Sequence, residues 1–593
     1  MARAGATLTY TGPVRGRTRG LGVSRRGAIP VGCPGAAAYR FRGPHGTRPN
    51  WQSGARGDLF RPAEQGIHNT ETEKGPPRSV ESRCRCSPTF DLARTQVSAR
   101  HFLTLSLVTR GSHLWRCGTR KSFTGATALQ RYSGTPEVSS TRERGRTVLD
   151  TAVIGAGMAG AAVAAQLERA GRDYMVLEAG PNRGREHIAA DEDSAHLADP
   201  AQDPSFAPFL AQPGALYGPL SGYRRRVGGR SLYWRGICLR VEDDVLREWP
   251  VEVRRALLGT GDDPGLYART EAALRTWCGG IQLTQARTAT EQAMVKELAG
   301  LGYPAVPTPR AIRTLGQGRW EAYSPVADLP SERILTGHRV SGVRKRAGGG
   351  YSLVLDDGDG STLDARHVVL CAGTVGNIEL ADGLLHGRSG EPRRYSLVDH
   401  VACGMLVVHS DGQHEAMESS VHAGFDAPSR SNLIVERQRH GEGVLLDAWT
   451  MGEQPPKATS TVLVGDATSI VLEPSARAAL DAVRREQRNL LGELARRTGL
   501  TARFREEYVS FDEALAQAEA RPGTAVVYDA GIGELDHESG GLALDGEHVD
   551  VSGQLREAPG VAVAGPCLFP RAGAANPSLT TLALAQYVVQ RMH

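Results

Sequence analysis

The sequence predicts an α/β protein: a Rossmann-like nucleotide-binding domain of discontinuous segments, joined to an α+β substrate domain with an antiparallel sheet. Three observations predict it. A β–α–β opening with a glycine fingerprint spans 149–180. A buried strand of the same kind returns only near 367–373. The stretch from about 397 to 475 is rich in strands.

The opening is the most specific part. "LDTAVI" (149–154) reads as a buried strand, "AAVAAQLERAG" as a helix ended by Gly171, and "YMVLEAG" (174–180) as a second buried strand. Between the first strand and the helix lies "GAGMAG". Gly155, Gly157 and Gly160 stand in the G-x-G-x-x-G positions, with Met158 and Ala159 between the last two. Gly155 allows the tight turn, Gly157 lets backbone approach a pyrophosphate, and Gly160 lets helix and strand pack closely. Glu178 closes the second strand, where an acid accepts from ribose hydroxyls. That acid favours a free 2′-hydroxyl, so FAD or NAD rather than NADP.

Further on, "ERILTGHRVSGVRK" (332–345) reads as two short strands. "YSLVLDDGDGSTLDARHVVLCAG" (351–373) reads as a hairpin turning at 356–360, then another buried strand. A simple NAD dehydrogenase would place its sheet strands nearer one another; the long interruption is more like a flavoprotein. "GMLVVHS", "SNLIVER", "GVLLDAW" and "STVLVGD" suit one antiparallel sheet. Residues 475–499 read as an amphipathic helix with Leu480, Val483, Leu490, Leu491 and Leu494 toward a core and its arginines on a solvated face. At the end, Asn576-Pro577 precedes "SLTTLALAQ"; Asn is a good N-cap and Pro suits a first helical turn.

Composition excludes some classes. No run approaches the roughly 18 apolar residues of a spanning helix. The nine cysteines show neither metal spacing nor a disulfide framework, and Cys84 and Cys86 form an isolated pair, so reduced thiols, no metal and a cytoplasmic location are expected. The net charge of +5 hides an asymmetry: residues 1–147 hold 25 Arg and Lys against 8 Asp and Glu. This segment is poor in periodic apolar residues and is expected to be disordered. Three readings stand for it: a basic arm for nucleic acid, a targeting segment with the twin Arg of "SRRGAIPVG" (24–32), or sequence outside the working protein. The first Met after Met1 is Met158, inside the glycine loop, and the expectation is a true start near Val148.

From about 148 to 593 the motifs resemble the glucose–methanol–choline (GMC) oxidoreductases, a family of FAD-dependent alcohol and sugar oxidases and dehydrogenases. "VIGAGMAGAAVAAQL…VLEAG" is similar to the family's FAD fingerprint. "VGGRSLYWRG" (227–236), with Gly228, Gly229 and Ser231, resembles its Gly-Gly loop over the flavin. "HVVLCAGTVGNIEL" (367–380), with Ala372 and Gly373, resembles its second FAD segment, and "LVDHVACG" (397–404) its Asp-His segment. "GVAVAGPCLFPRAGAANPSLTTLALA" (560–585) resembles its closing signature. The resemblance implies six segments: 1–147 as the basic extension, 148–240 as the first part of the FAD domain, 241–325 as a helical substrate-side segment, 326–390 as the second FAD part, 391–530 as the substrate domain, and 531–593 as the C-terminal FAD part with the active-site residues. It also adds Val340, Gly565, Pro577 and Leu579 to the flavin contacts. Gly565 stands where the family usually has an acid, so that contact falls to backbone. Some sugar oxidases carry a flavin-linked His where Tyr233 stands, which implies non-covalent FAD.

The same resemblance implies the chemistry. His537, in "LDHESGGLAL" (535–544), takes the hydroxyl proton while hydride passes to flavin N5, with the small residues after it leaving room for substrate. Asn576, 39 positions on, orients the substrate oxygen, and the helix after Pro577 points its N-terminus at the flavin. His400, with Asp399, is expected to organise a loop rather than react. Tyr233, Trp234 and Arg235 either cover the flavin or pack in the core; Arg571 approaches the site or lies on the surface. The expected substrate is a small polar alcohol, a sugar or an amino sugar, and the electron acceptor is oxygen or a redox carrier. Arg-rich composition points to a bacterial source, with no nucleic acid as partner and no membrane span. Two alternatives are a lyase-type reaction on the same fold and nucleic-acid binding through the basic half.

Overall fold

The computed structural model describes residues 148–592 apart from 189–199, 201, 213–215, 219, 317–318, 388–389, 411–416 and 504–508. The readings made for residues 1–147 lie outside the described residues.

The first sheet grows from the glycine fingerprint. Strand β1 (Leu149–Ile154) runs into helix α1 (Met158–Arg169) and returns as β2 (Tyr174–Glu178). β1 pairs in parallel with β2 on one side, Ile154 opposite Leu177. The chain then leaves the sheet for more than 150 residues, forming among other elements α2 (Val251–Leu258), α3 (Gly265–Trp277) and α4 (Ala289–Gly300). It comes back as β3 (Ile334–Thr336), parallel to β2. β4 (Val340–Lys345) and β5 (Tyr351–Leu355) follow, β5 lying antiparallel between β4 and β6 (Thr362–Leu370). β6 is at once the second arm of the hairpin and the buried strand, so the sequence reading of two separate strands there is corrected. β6 lies parallel to β1, Leu370 opposite Ile154, and helix α5 (Thr374–His386) follows it. The parallel strands therefore end along one edge of the sheet, where an open α/β sheet presents its crevice.

The second sheet has seven strands and carries α+β character. Its centre is β7 (His400–His409), β8 (Ser419–Asp426), β9 (Ser431–His440), β10 (Gly443–Glu453) and β11 (Ala525–Asp529), in the order β11-β7-β10-β9-β8. The strand period of two sorts its faces. Cys403, Met405, Val407, Leu433, Val435, Leu446 and Ala448 pack with Met294 and Leu298 of α4 and with Leu491 and Leu494 of α6 (Arg477–Arg497). The alternate residues, including His400, Ala402, Glu436, Asp447 and Trp449, face the other way. "STVLV" does not join this sheet. Pro455 and Pro456 follow β10, and proline cannot continue a ladder. Ser460–Val464 pairs instead with Arg393–Leu397 in a separate three-stranded sheet. Nor are the arginines of α6 simply solvated: Arg484 donates to the Ala530 carbonyl at 3.0 Å and Arg488 pairs with the buried Asp529.

β12 (Val561–Val563) adds to the first sheet parallel to β6, and α7 (Ser578–Val589) closes the fold. α7 is buried nearly all round, Thr580 and Thr581 included, as a helix this rich in Leu, Ala and Val should be. The fold class is the one the sequence predicts.

Gly160 marks one of the tightest approaches. A Cβ there would lie 1.9 Å from the Gly155 carbonyl oxygen, whereas one at Gly300 would meet nothing within 4 Å. Gly160→Ala is therefore expected to destabilise the protein by about 1–3 kcal/mol, seen as an earlier thermal midpoint. Gly300→Ala should leave the midpoint unchanged or slightly raised.

Candidate active site

The parallel strands of the first sheet and the second face of the other sheet open onto one cavity of about 770 Å³. At one end the Glu178 carboxylate accepts from the N–H groups of Ala156 (2.9 Å) and Gly180 (2.8 Å). Burial pushes its pKa up to about 7, against these hydrogen bonds. The loop from Gly155 to Ala159 lies beside it. Gly157 has no neighbour within 4 Å of a would-be Cβ, so its backbone is bare toward the cavity. Gly228 and Gly229 have φ of 92° and 48°, open to glycine, and a Cβ on Gly229 would sit 3.5 Å from Gly157. The Gly228 N–H also donates to the Ala156 carbonyl at 3.0 Å, locking the two glycine loops together.

At the other end lies His537. Arg230 donates to the Asp536 carbonyl (3.2 Å), pairs with the Asp536 carboxylate (3.1 Å), and reaches both carboxylate oxygens of Glu538. The Thr374 hydroxyl donates to the Glu538 carbonyl at 2.6 Å. Ser539 then exchanges backbone hydrogen bonds with Val398, 2.7 and 2.9 Å. These ties clamp the His537 turn against the start of β7. They bring His537 Nδ1 within 3.1 Å of His400 Nδ1, the rings nearly perpendicular. Asn576 Nδ2 lies 3.5 Å from His537 Nε2, and Asn576 Oδ1 has no partner among the described residues. Burial first, then His400 and Arg230, hold the His537 pKa well below the ordinary 6.5. Burial likewise lowers His400, to about 4.

The loop leading to Asn576 is held by two carboxylates. Glu453, the last residue of β10, accepts from the N–H groups of Ala572 (2.8 Å) and Gly573 (3.1 Å) and pairs with Arg571. Glu242 accepts from the N–H of Ala574 (2.9 Å), and Asn432 donates to the Ala574 carbonyl (2.8 Å). Gly573 has φ of 70°, and a Cβ there would lie 2.3 Å from Glu242. The small residues of "RAGAAN" thus let these two carboxylates reach backbone.

Most of the residues singled out from sequence share this cavity. Gly155, Gly157, Met158, Ala159, Glu178 and Val340 line one part; Gly229, Ser231, Ala372, Gly373, Gly565 and Pro577 line the rest, with His537 and Asn576. Gly160, Gly228 and Leu579 do not line it. Gly160 packs α1 against the loop, Gly228 supports its neighbour, and the Leu579 side chain is fully buried. Three sequence readings need correction. Asn576 does not cap α7, which has no side-chain cap; its amide turns to His537 instead. The glycines after His537 make no room for substrate, because a Cβ on Gly541 would strike Ile378 and one on Gly540 would crowd Ser396. Arg571 neither lines the cavity nor stands alone on the surface; it holds Glu453 and Glu248. His400 opens a strand, and its ring holds the Gly573 carbonyl of the loop before Asn576.

Tyr233, Trp234 and Arg235 all line the cavity and are anchored behind it. Tyr233 donates to Asp203 (2.7 Å), Trp234 to the Tyr323 carbonyl (2.8 Å), and Arg235 pairs with Glu418 and Glu436. A further part of the lining, which sequence reasoning missed, is Glu436, Asp447, Trp449 and Tyr528, joined to Arg235 through Glu436. The signal was there: a single acid set inside an otherwise apolar strand, in "LIVER" and in "LLDAW". The Tyr528 hydroxyl donates to Asp447 at 3.0 Å, and burial beside Glu436 pushes Asp447 up to about 8. Among the described residues no cluster of His, Cys, Asp or Glu is placed to hold a metal, and no helix is long and apolar enough to cross a membrane. The described cysteines are free and buried.

Comparison with known proteins bears on the fold and the family. Residues 153–186 match the model of an NAD(P)-binding Rossmann-like domain. Two curated relatives, from the CDC 1551 and H37Rv strains of Mycobacterium tuberculosis, are uncharacterized GMC-type oxidoreductases. Each is 27% identical over 354 residues, covering 54% of this chain and 54% of the relative. The chain thus matches about half the length of these relatives. Among solved structures, pyridoxine 4-oxidase from Mesorbium loti shares the fold, with a TM-score of 0.52 and 18% identity over 75% of this chain and 99% of that one. The resemblance to GMC-type oxidoreductases drawn from the sequence is borne out.

Glu453 is the test of the loop's support. Glu453→Ala leaves two backbone N–H groups without their acceptor, a loss of about 1–3 kcal/mol for each buried group, measurable by urea unfolding. Glu248→Ala, on the exposed side of Arg571, should change stability by less than about 1 kcal/mol.

Proposed function

We propose that this protein oxidises the CH–OH group of a small polar alcohol, with non-covalent FAD as its cofactor. The observation that carries the proposal is the convergence of His537, Asn576 and the N-terminus of α7 in the cavity that also holds the glycine fingerprint and Glu178. The residues fit the cofactor. Glu178 would take the ribose hydroxyls, and the bare backbone at Gly157 with the N-terminus of α1 would take the pyrophosphate. The N–H groups at the start of α7, which have no intrahelical acceptor and no side-chain cap, would take the electron-rich end of the flavin ring. When bound, the flavin supplies the hydride acceptor.

The protein supplies the proton acceptor and the alignment. His537 takes the hydroxyl proton, and its depressed pKa keeps the imidazole neutral and ready for it. Asn576 hydrogen-bonds the substrate oxygen, with an oxygen of its own still unpaired among the described residues. The polar wall of Arg235, Glu436, Asp447 and Tyr528 supports a substrate with several hydroxyl or amino groups, a sugar or an amino sugar among them. The electron acceptor is oxygen or a redox carrier.

Anaerobic titration of the purified full chain with sugars, amino sugars and simple alcohols tests this. One of them is expected to bleach the oxidised-flavin band near about 450 nm. His537→Ala should slow bleaching by about 10²–10⁴-fold, and Asn576→Ala by about 10²-fold. A yellow protein that no alcohol bleaches would argue for non-redox chemistry. Cofactor binding has its own test. Ribose hydroxyls donate to the ionised Glu178, so bound FAD draws its pKa below the value of about 7 in the free protein. FAD affinity should therefore fall as pH drops through 7, by at most about tenfold per unit. Glu178→Gln should remove that dependence and weaken binding at high pH.

A further inference from the structure

We infer that His400 is a positioning residue that fixes His537 in one tautomer, with its hydrogen on Nδ1 and a bare Nε2 turned to the cavity. The catalytic half of this inference rests on the proposal that His537 is the base; the tautomer itself does not.

One nitrogen of His400 has only one possible role. His400 Nε2 lies 3.1 Å from the carbonyl oxygen of Gly573. A carbonyl can only accept, so His400 Nε2 carries the hydrogen. His400 is 1% exposed and its pKa is depressed by burial, so the ring is neutral and its Nδ1 is a lone pair. The contact from His400 Nδ1 to His537 Nδ1, 3.1 Å, is a hydrogen bond only if His537 donates. A neutral His537 then has no hydrogen on Nε2. The neighbour of that atom agrees: Asn576 approaches it with its amide nitrogen, a donor. The order Gly573 carbonyl, His400, His537, cavity is thus a single directed chain.

The chain has a fixed origin. Gly573 is held by Glu453, and Glu453 stands directly opposite His400 in the β7–β10 register. The His400 N–H is taken by the Asp399 carboxylate at 2.7 Å. The other charged groups around the pair are Arg230, Asp536 and Glu538, which are tied to one another. In the reaction the substrate O–H bond breaks, its proton joins the Nε2 lone pair, and the electron pair stays on the substrate oxygen. His537 becomes an imidazolium whose Nδ1–H still donates to His400, so nothing rearranges as the proton arrives. A protonated His400 would instead face Nδ1–H against Nδ1–H.

The test uses the full chain with histidine labelled in nitrogen-15, with and without FAD. Two-dimensional proton–nitrogen spectra report which ring nitrogen of His537 carries hydrogen, with His537→Ala for assignment. The expected result is hydrogen on Nδ1 and a bare Nε2. His400→Leu should shift His537 toward a mixture of tautomers. It should also lower kcat at least about tenfold, with KM little changed, within the roughly 10²–10⁴-fold that a positioned base contributes. His400→Asn, whose amide oxygen replaces the ring Nδ1 as acceptor, should restore most of the tautomer and the rate. A wild-type His537 protonated on Nε2 overturns the inference whatever the activity. So does a folded His400→Leu with unchanged tautomer, kcat and pH profile. A protein that oxidises no alcohol yet shows the Nδ1–H tautomer overturns the proposed function and supports the positioning.

Discussion

Two part-buried carboxylates that grip a backbone are the constraint on which the site depends. Glu242 and Glu453 accept from three successive N–H groups, at Ala572, Gly573 and Ala574. An acid at each point draws the chain of one sheet layer against the other. This grip aims the Gly573 carbonyl at His400. It delivers Asn576 to His537 rather than to the cap of its own helix, and it leaves the first turn of α7 facing the cavity. A side chain at position 573 would collide with Glu242, so a small-residue lead-in is a packing requirement as well as a local turn.

The second organising element is electrostatic. The only base proposed for the reaction is flanked by a neutral histidine and lies near an arginine whose charge is already taken. Arg230 is committed to Asp536 and Glu538, so it clamps the turn and still helps to keep His537 unprotonated. A neutral partner behind His537 has a different consequence from a carboxylate: it orients the ring without adding negative charge that would raise its basicity.

The first sheet was legible from sequence because its signals are local. Glycines at Gly155, Gly157 and Gly160 between two apolar strands, and an acid at Glu178, leave few alternatives. The pairing of His537 with Asn576 was legible through a resemblance that spans both. His400 was harder to read. Its place follows from strand alternation, which sets it on the same face as Ala402, and from a partner 137 residues away. Neither Glu242 nor Glu453 carries a motif; each acts on backbone hundreds of residues off or across a sheet, and only packing shows it. "STVLV" was misplaced because strand propensity says nothing about which partner a strand takes after a proline break.

The measurement that tests the account most directly is the structure of the FAD-bound protein. The account places the adenosine ribose on Glu178 and the pyrophosphate at Gly157. It places the flavin ring between the Gly228–Gly229 loop and the first turn of α7, with His537 Nε2 and Asn576 over its substrate face. A flavin ring bound away from the start of α7, or a His537 turned out of the cavity when the cofactor is present, would contradict it.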